Sequence, residues 1–212
     1  MSTRIADIEI PDSSLVKAAT DLVGEAAPPL LFDHSRRVFL FGSLAGIRRG
    51  LDYDPELLYV GAMFHDLGLT ETYRTADQRF EIDGADEARR FLKEHGVPDD
   101  SARIVWEAIA LHTTPEVPYH MAPEIALVTT GVEADVLGIG LGEIPEEALA
   151  EIVAAHPRPD FKRRILAAFT EGNDYRPRTT FGNVNADVLE RFAPGFVRPN
   201  FVEIIENSAW PE

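Results

Sequence analysis

Four ionisable side chains lie on helical faces that are otherwise apolar. They are His34, His65, His112 and Asp135. His34, for example, lies at helical spacing from Leu31 and Val38. A side chain that carries charge into a core costs roughly several kcal/mol unless it is paired or bound to a metal. Four helices that bring such groups to one core therefore indicate a metal site between them.

The order of these residues along the chain strengthens that interpretation. His34 is followed by the dipeptide His65-Asp66 and then by Asp135. Taken alone, each has an ordinary explanation, because inward histidines are usually hydrogen-bonded in a core and a single inward aspartate often caps a helix or forms an ion pair. Together they supply the imidazole and carboxylate groups that suit zinc, iron, manganese and related ions.

A metal of this kind can activate water at an open coordination position, after which a proton must be delivered to the substrate. The candidate residues for that transfer are Asp66, His112 and His120. His112 ends its predicted helix and precedes a Thr-Thr-Pro break, so it is well placed to meet a substrate. His120 lies in a predicted loop, where exposure to solvent is the simpler explanation.

The elements that must position these residues are helical almost throughout. Prolines, glycines and capping residues predict helices over 13–24, 31–49, 54–68, 83–95, 99–112, 123–136 and 161–171, with one more starting at Pro145. Asp54-Pro55 is typical of a helix start, and Gly50 is typical of a helix end. No convincing β alternation interrupts the pattern, so we expect an all-α protein.

The chain changes character beyond Gly172, where prolines, glycines and scattered aromatic residues replace the helical periodicity. We expect a single domain over 1–212, with a helical core over about 28–171 and an irregular C-terminal segment over 172–212 that packs on it. Packing is favoured over a solvated linker because the segment is too apolar to be one. The residues in question are Phe181, Phe192, Phe196, Phe201 and Trp210.

Composition excludes several kinds of partner. The formal net charge of −16 repels phosphate backbones and anionic membranes, so we expect neither nucleic acid nor membrane as a partner. The sequence has no cysteine, which excludes disulfides, thiolate nucleophiles and sulfur-ligated metals. Because the N-terminal segment lacks the apolar core of a signal peptide, we expect a cytoplasmic protein. The partner that we expect is a small-molecule substrate. Homo-oligomerisation is left open.

The motifs around these residues carry a resemblance to a known family. FHDLG at 64–68 and ADVLG at 134–138, with His34 before them, resemble the HD superfamily of metal-dependent phosphohydrolases. Longer segments, among them LFDHSRRVFLFG, LLYVGAMFHDLGLT and IALHTTPEVPYHMAPEIALV, are similar to its cyanamide-hydratase-like branch. The resemblance implies an HD-domain helical bundle and one divalent ion held by His34, His65, Asp66 and Asp135. Members of that branch use zinc to hydrate cyanamide to urea, so Zn²⁺ is the expected ion, with Fe²⁺ and Mn²⁺ as alternatives.

One position departs from the pattern of dinuclear HD enzymes, in which an HxxxGA motif supplies a histidine to a second metal. The matching stretch here starts at Phe80, which cannot bind a metal, so the resemblance favours a single ion. Glu81 is the neighbour that could compensate. Glu81, Asp83 and Asp86 are otherwise explained by favourable interaction with a helix dipole.

Three functions remain open at this level. The first is a hydratase or hydrolase of a small nitrile-like substrate, which a single ion neutralised by two carboxylates would suit. The second is a phosphohydrolase of a nucleotide or another small phosphate ester, with Arg36 or Arg37 binding the phosphate. The third is a degenerate HD domain that serves as a scaffold, which the intact ligand set argues against.

Overall fold

The computed structural model describes residues 3–210, and the chain over that range is built almost entirely from helices. A two-stranded antiparallel hairpin comes first, with β1 over Arg4–Ile5 and β2 over Ile8–Glu9. The α-helices are α1 Ser14–Ala26, α2 Pro29–Arg49, α3 Pro55–Phe64, α4 Phe80–Glu94, α5 Asp99–Leu111, α6 Pro123–Leu137, α7 Glu146–Ala155, α8 Phe161–Asn173, α9 Asn185–Phe192 and α10 Phe201–Glu206. Within the described range, no helix combines the length and apolarity needed to cross a membrane.

The core is a bundle in which α2, α3, α5 and α6 pack against one another and α4 covers α5. The most extensive contact joins α2 to α6, and glycines allow these two helices to approach closely. A Cβ added at Gly42 would lie 2.7 Å from the carbonyl oxygen of Leu127, and one added at Gly131 would collide with the carbonyl oxygen of Val38. This close crossing brings the first half of α2 beside the C-terminal half of α6.

The caps predicted from the sequence are present. The Asp54 Oδ1 atom accepts hydrogen bonds from the backbone N–H groups of Glu56 (2.8 Å) and Leu57 (3.2 Å), and Pro55 is the first residue of α3. Gly50 ends α2 in the left-handed region at a φ of 64°. The all-α prediction is confirmed.

The structure differs from the sequence expectation at two helix boundaries and in one additional element. Helix α3 ends at Phe64 instead of continuing to Gly68, and a 3₁₀ turn follows over Leu67–Leu69. Helix α4 begins at Phe80, three residues before the predicted start. The N-terminal hairpin was not predicted, because strands of two residues are too short to produce an alternating pattern.

The C-terminal segment packs on the helical core, but mainly through small and polar residues. Ala186 and Leu189 of α9 are buried, as are Asn183 and Asn185. Arg176 is fully buried, forms an ion pair with Asp83, and donates a hydrogen bond to the carbonyl oxygen of Gly68 (2.8 Å). Of the five aromatic residues that had favoured packing, Phe196 is half-buried and the others are exposed: Phe181, Phe192, Phe201 and Trp210.

Candidate metal centre

Five buried side chains converge where the ends of several helices meet. His34 lies in the second turn of α2, His65 caps the C-terminal end of α3, and Asp66 follows it. His112 caps the C-terminal end of α5, and Asp135 lies in the last turn of α6. All five are at most 4% exposed, so their charges and lone pairs must be satisfied inside the protein.

The backbone turn at Asp66 explains why α3 stops where it does. Asp66 has φ −102° and ψ 6°, which lies in the sparsely populated region where many active-site residues are found. Leaving the helix there turns the carboxylate back toward the ring of His65. Gly84 lets α4 approach this turn, because an added Cβ would lie 2.7 Å from the carbonyl oxygen of Phe64.

The hydrogen bonds at Nδ1 fix the tautomer of each imidazole. The Nδ1–H group of His65 donates to the carbonyl oxygen of Ala62 (2.7 Å), and that of His112 donates to the carbonyl oxygen of Ile109 (2.6 Å). The Nδ1–H group of His34 donates to Oδ2 of Asp135 (2.6 Å). A carbonyl or an ionised carboxylate only accepts hydrogen bonds, so in each neutral ring the lone pair is on Nε2.

These Nε2 atoms and the carboxylate of Asp66 face one another. The Nε2 atoms of His34 and His65 are 3.1 Å apart, and Oδ2 of Asp66 lies 3.6 Å and 3.3 Å from them respectively. Both carboxylate oxygens of Asp66 are buried without a hydrogen-bond partner among the described residues. Two lone pairs and an unpaired buried anion at these distances repel one another, and a cation bound between them would remove that repulsion.

The donor set fits a divalent ion. Bonds of about 2.0–2.2 Å to nitrogen and oxygen ligands separate neighbouring ligand atoms by roughly 3.0–3.5 Å, close to the separations observed here. His34, His65 and Asp66 form a group of three whose ligand atoms all lie within 4.8 Å of one another. These three residues could hold the ion.

Electrostatics keep the group in the form that binds a cation. Burial by itself raises the pKa of Asp66, but interactions with His65, His112 and His34 outweigh it and hold that pKa well below its usual value. Burial lowers the pKa of His34, against the influence of Asp135. Both directions favour an ionised carboxylate at Asp66 and a neutral imidazole at His34, which are the forms that coordinate metals.

Asp135, the fourth predicted ligand, lies beside this group instead of in it. Its Oδ2 atom accepts from Nδ1 of His34, on the side of the ring away from Nε2. Arg37 donates from Nε to Oδ1 and from a terminal nitrogen to Oδ2, both at 2.8 Å, and Arg158 Nε lies 3.0 Å from Oδ1. These contacts account for the orientation of the carboxylate, and its role as a metal ligand remains a prediction.

His112 lies on the other side of Asp66, with its Nε2 atom 3.6 Å from Oδ1. The ring of Phe80 packs edge-on against it, with the centroids 5.6 Å apart. Phe80 is fully buried and contributes no ligand where the dinuclear pattern has a histidine. His120 is exposed in the 3₁₀ turn Val117–His120, away from the group, and the structure gives no support to its predicted catalytic role.

Sequence reasoning missed the role of the arginines beside the site. Arg37 had been considered as a residue that could bind a phosphate, yet it is fully buried and held by Asp135. Its spacing of three residues from His34 was the available signal, because residues three apart share a helix face. Arg36 packs against Tyr59 and His156 and is also absent from the cavity described below.

Glu81 and Asp83 have buried partners in addition to the helix dipole that was expected to explain them. Glu81 accepts hydrogen bonds from the hydroxyl of Thr113 and from the side-chain amide of Asn183 (2.7 Å). Asp83 forms the buried ion pair with Arg176. Both carboxylates therefore tie α4 to the C-terminal segment.

His34, His65 and Asp66 are called the metal-binding group from here on. A cavity of about 170 Å³ opens onto this group. Its wall away from the imidazoles is largely apolar and comes from α6, α8, the loop after α5 and the C-terminal segment. The residues around it are His34, His65, Asp66, His112, Thr113, Thr114, Pro115, Val132, Glu133, Val136, Leu137, Phe169 and Val184. No lysine or arginine is among these lining residues, which are drawn from the described range 3–210.

One comparison with known proteins agrees with this architecture. A search of curated proteins finds no match. The family model of the HD domain matches residues 31–155, which includes His34, the His65-Asp66 pair and Asp135 and covers more than half of the chain. Membership of the HD domain family indicates metal-dependent hydrolase activity. The chain belongs to the HD domain family.

Proposed function

We propose that this protein is a metal-dependent hydratase or hydrolase that adds water to a small uncharged substrate, of which cyanamide or a similar nitrile is the model. The observation that carries the proposal is the unpaired, buried carboxylate of Asp66 beside the lone pairs of His34 and His65. This group lies at the end of a small cavity that has no lysine or arginine among its described lining residues. The resemblance to cyanamide hydratases supplies the substrate class.

The ion that fits this group, with Zn²⁺ expected first, would supply a Lewis acid and an activated water near neutral pH. The chain's own residues have separate tasks. Asp135 and Arg37 orient His34 through its Nδ1–H group, and the carbonyl oxygen of Ala62 does the same for His65. This orientation is what an outer hydrogen-bond partner contributes to a metal-binding imidazole.

His112 is the residue that we assign to proton transfer. Because Ile109 holds its Nδ1–H group, the Nε2 atom faces Asp66 and the cavity and can take up or release a proton there. In hydration of a nitrile, the oxygen of water bonds to the nitrile carbon while one π bond to nitrogen breaks. The proton lost from the water reaches the nitrogen and gives the imidic acid. Transfer of the remaining hydroxyl proton to the same nitrogen then gives the amide, which for cyanamide is urea.

A phosphohydrolase of a small phosphate ester is the second candidate, and the family membership favours it. The lining of the cavity argues against it. Phosphate recognition calls for Arg or Lys at the anion, whereas Arg37 and Arg158 are engaged by Asp135 behind His34. The other charged residue that lines the cavity is Glu133, whose carboxylate accepts from the hydroxyl of Tyr119 and would repel a phosphate.

The test is an assay of metal-replete protein with cyanamide, measuring urea, and with a panel of nucleoside monophosphates, measuring phosphate. We expect urea release and little phosphate release. Efficient phosphate release without urea would overturn the proposal in favour of the second candidate. The Asp66→Asn variant serves as the control, since it should be inactive towards both classes.

A further inference from the structure

The apolar half of the cavity has no role in the chemistry of the metal-binding group. Val132 and Val136 project from α6, Phe169 from α8, and Val184 from the C-terminal segment. A polar substrate as small as cyanamide leaves such a wall without a partner. Exposed apolar surface of this kind, next to a few convergent polar groups, is typical of a site that binds an organic group.

We infer that this wall is a binding site for an apolar substituent of the substrate, about as large as a benzene ring, held next to the metal-binding group. The inference rests on the proposed function for its substrate class, an aliphatic or aryl nitrile R–C≡N hydrated to the amide. The polar end of the molecule would lie towards Asp66 and His112, and the substituent would lie against Val132, Val136 and Val184.

The size of the cavity sets the size of the substituent. Its volume is about 170 Å³, and an apolar protein cavity of about 150 Å³ stays free of water and binds benzene. The charged side chains at the cavity, Asp66 and Glu133, are both acidic, which disfavours an anionic substituent. Leu137 is 66% exposed and Val184 45% exposed, so the apolar wall reaches the surface and leaves a path of entry.

The part of this wall that comes from the C-terminal segment is held in place by polar contacts. Asn183 donates to Glu81 (2.7 Å) and to the hydroxyl of Thr113 (2.8 Å), and its Oδ1 atom accepts from the backbone N–H group of Asn185 (2.8 Å). Val184 lies between these two asparagines. The backbone on both sides of Val184 is therefore fixed, which a specificity-determining position requires.

Binding of benzene tests the site independently of catalysis. We expect benzene to shift the methyl resonances of Val132, Val136 and Val184 in the NMR spectrum of both metal-free and zinc-loaded protein. Val184→Phe narrows the cavity from an exposed position and should abolish the shifts of Val132 and Val136 without loss of thermal stability. Leu166→Ala, a partly exposed position on α8 outside the cavity, is the matched control and should leave them unchanged.

Catalysis gives the second measurement. Each buried methylene contributes about 0.8 kcal/mol, or about fourfold, so kcat/KM should rise about fifteen-fold from acetonitrile to butyronitrile and stay high for benzonitrile. Val184→Phe should reverse this preference. Absence of benzene shifts, or shifts that persist in Val184→Phe, would overturn the inference even if cyanamide is hydrated. Benzene binding without hydration of any nitrile would uphold the apolar site and contradict the proposed function instead.

Discussion

At the scale of single residues, the acceptor at each Nδ1 atom decides what the imidazole can do. His65 and His112 are held by backbone carbonyls of the helices that they terminate, and His34 is held by Asp135. All three rings thus present Nε2 to the same region. His34 and His65 join Asp66 in the metal-binding group, whereas His112 lies outside it. The roles of the histidines should therefore separate on substitution.

His112→Asn should remove activity and leave the metal in place. Loss of a proton-transfer group typically costs about 10²–10⁴-fold in rate, and His112 is absent from the group of three ligands. The measurement is kcat with cyanamide beside zinc content of the same preparation. A variant that loses its zinc would show that His112 is a ligand.

Asp135→Asn should weaken zinc binding without abolishing it. Removing an outer partner of a metal-binding histidine typically costs about 10–100-fold in affinity, and the amide still offers an oxygen to Nδ1–H of His34. A competition titration with a chromophoric chelator measures the change. Asp160→Asn, which removes an exposed ion pair with Arg163, is the control. Complete loss of binding by Asp135→Asn would instead support direct ligation.

At the scale of elements, the close crossing of α2 and α6 keeps His34 and Asp135 adjacent. The sequence predicted both helices within about two residues, because their caps and apolar periodicity are local signals. It could not predict which rotamer Asp135 adopts. That depends on Arg37 and Arg158, which approach from another turn of α2 and from the loop before α8. The end of α3 was misplaced for a similar reason, since the turn at Asp66 is stabilised by contacts with distant parts of the chain.

Gly131→Ala tests the helix crossing. An added methyl group would collide with the carbonyl oxygen of Val38 in α2, and forced overpacking of this kind costs about 1–3 kcal/mol of unfolding free energy. Urea denaturation followed by circular dichroism measures it. Gly142→Ala, where nothing lies within 4 Å of the added Cβ, should change stability little. Equal effects of the two substitutions would contradict the packing described here.

At the scale of the whole molecule, the helical bundle and the C-terminal segment together build the site. The segment was predicted to pack because of its aromatic residues, yet buried polar contacts of Arg176 and Asn183 hold it while the aromatics remain exposed. A hydrogen-bond network of this kind is a tertiary property that no local pattern signals. The acidic composition, by contrast, agrees with a cavity lined by Asp66 and Glu133 and by no lysine or arginine.

Removal of the metal should lower the thermal stability of the entire protein. A bound cation relieves the unpaired carboxylate of Asp66 and the facing lone pairs, and a ligand at 1,000 times its Kd stabilises the folded state by about 4 kcal/mol. Thermal unfolding before and after chelation, and again after addition of zinc, measures the effect. An unfolding temperature that does not respond to chelator or zinc would contradict it.

The central claim is that His34, His65 and Asp66 hold a single divalent ion, and metal stoichiometry tests it most directly. Elemental analysis of zinc-replete, dialysed protein should give one ion per chain, and the Asp66→Asn variant, which is nearly isosteric, should retain almost none. The variant's circular dichroism spectrum would establish that it is folded. Two tightly bound ions per chain, or one ion retained in full by Asp66→Asn, would contradict the account.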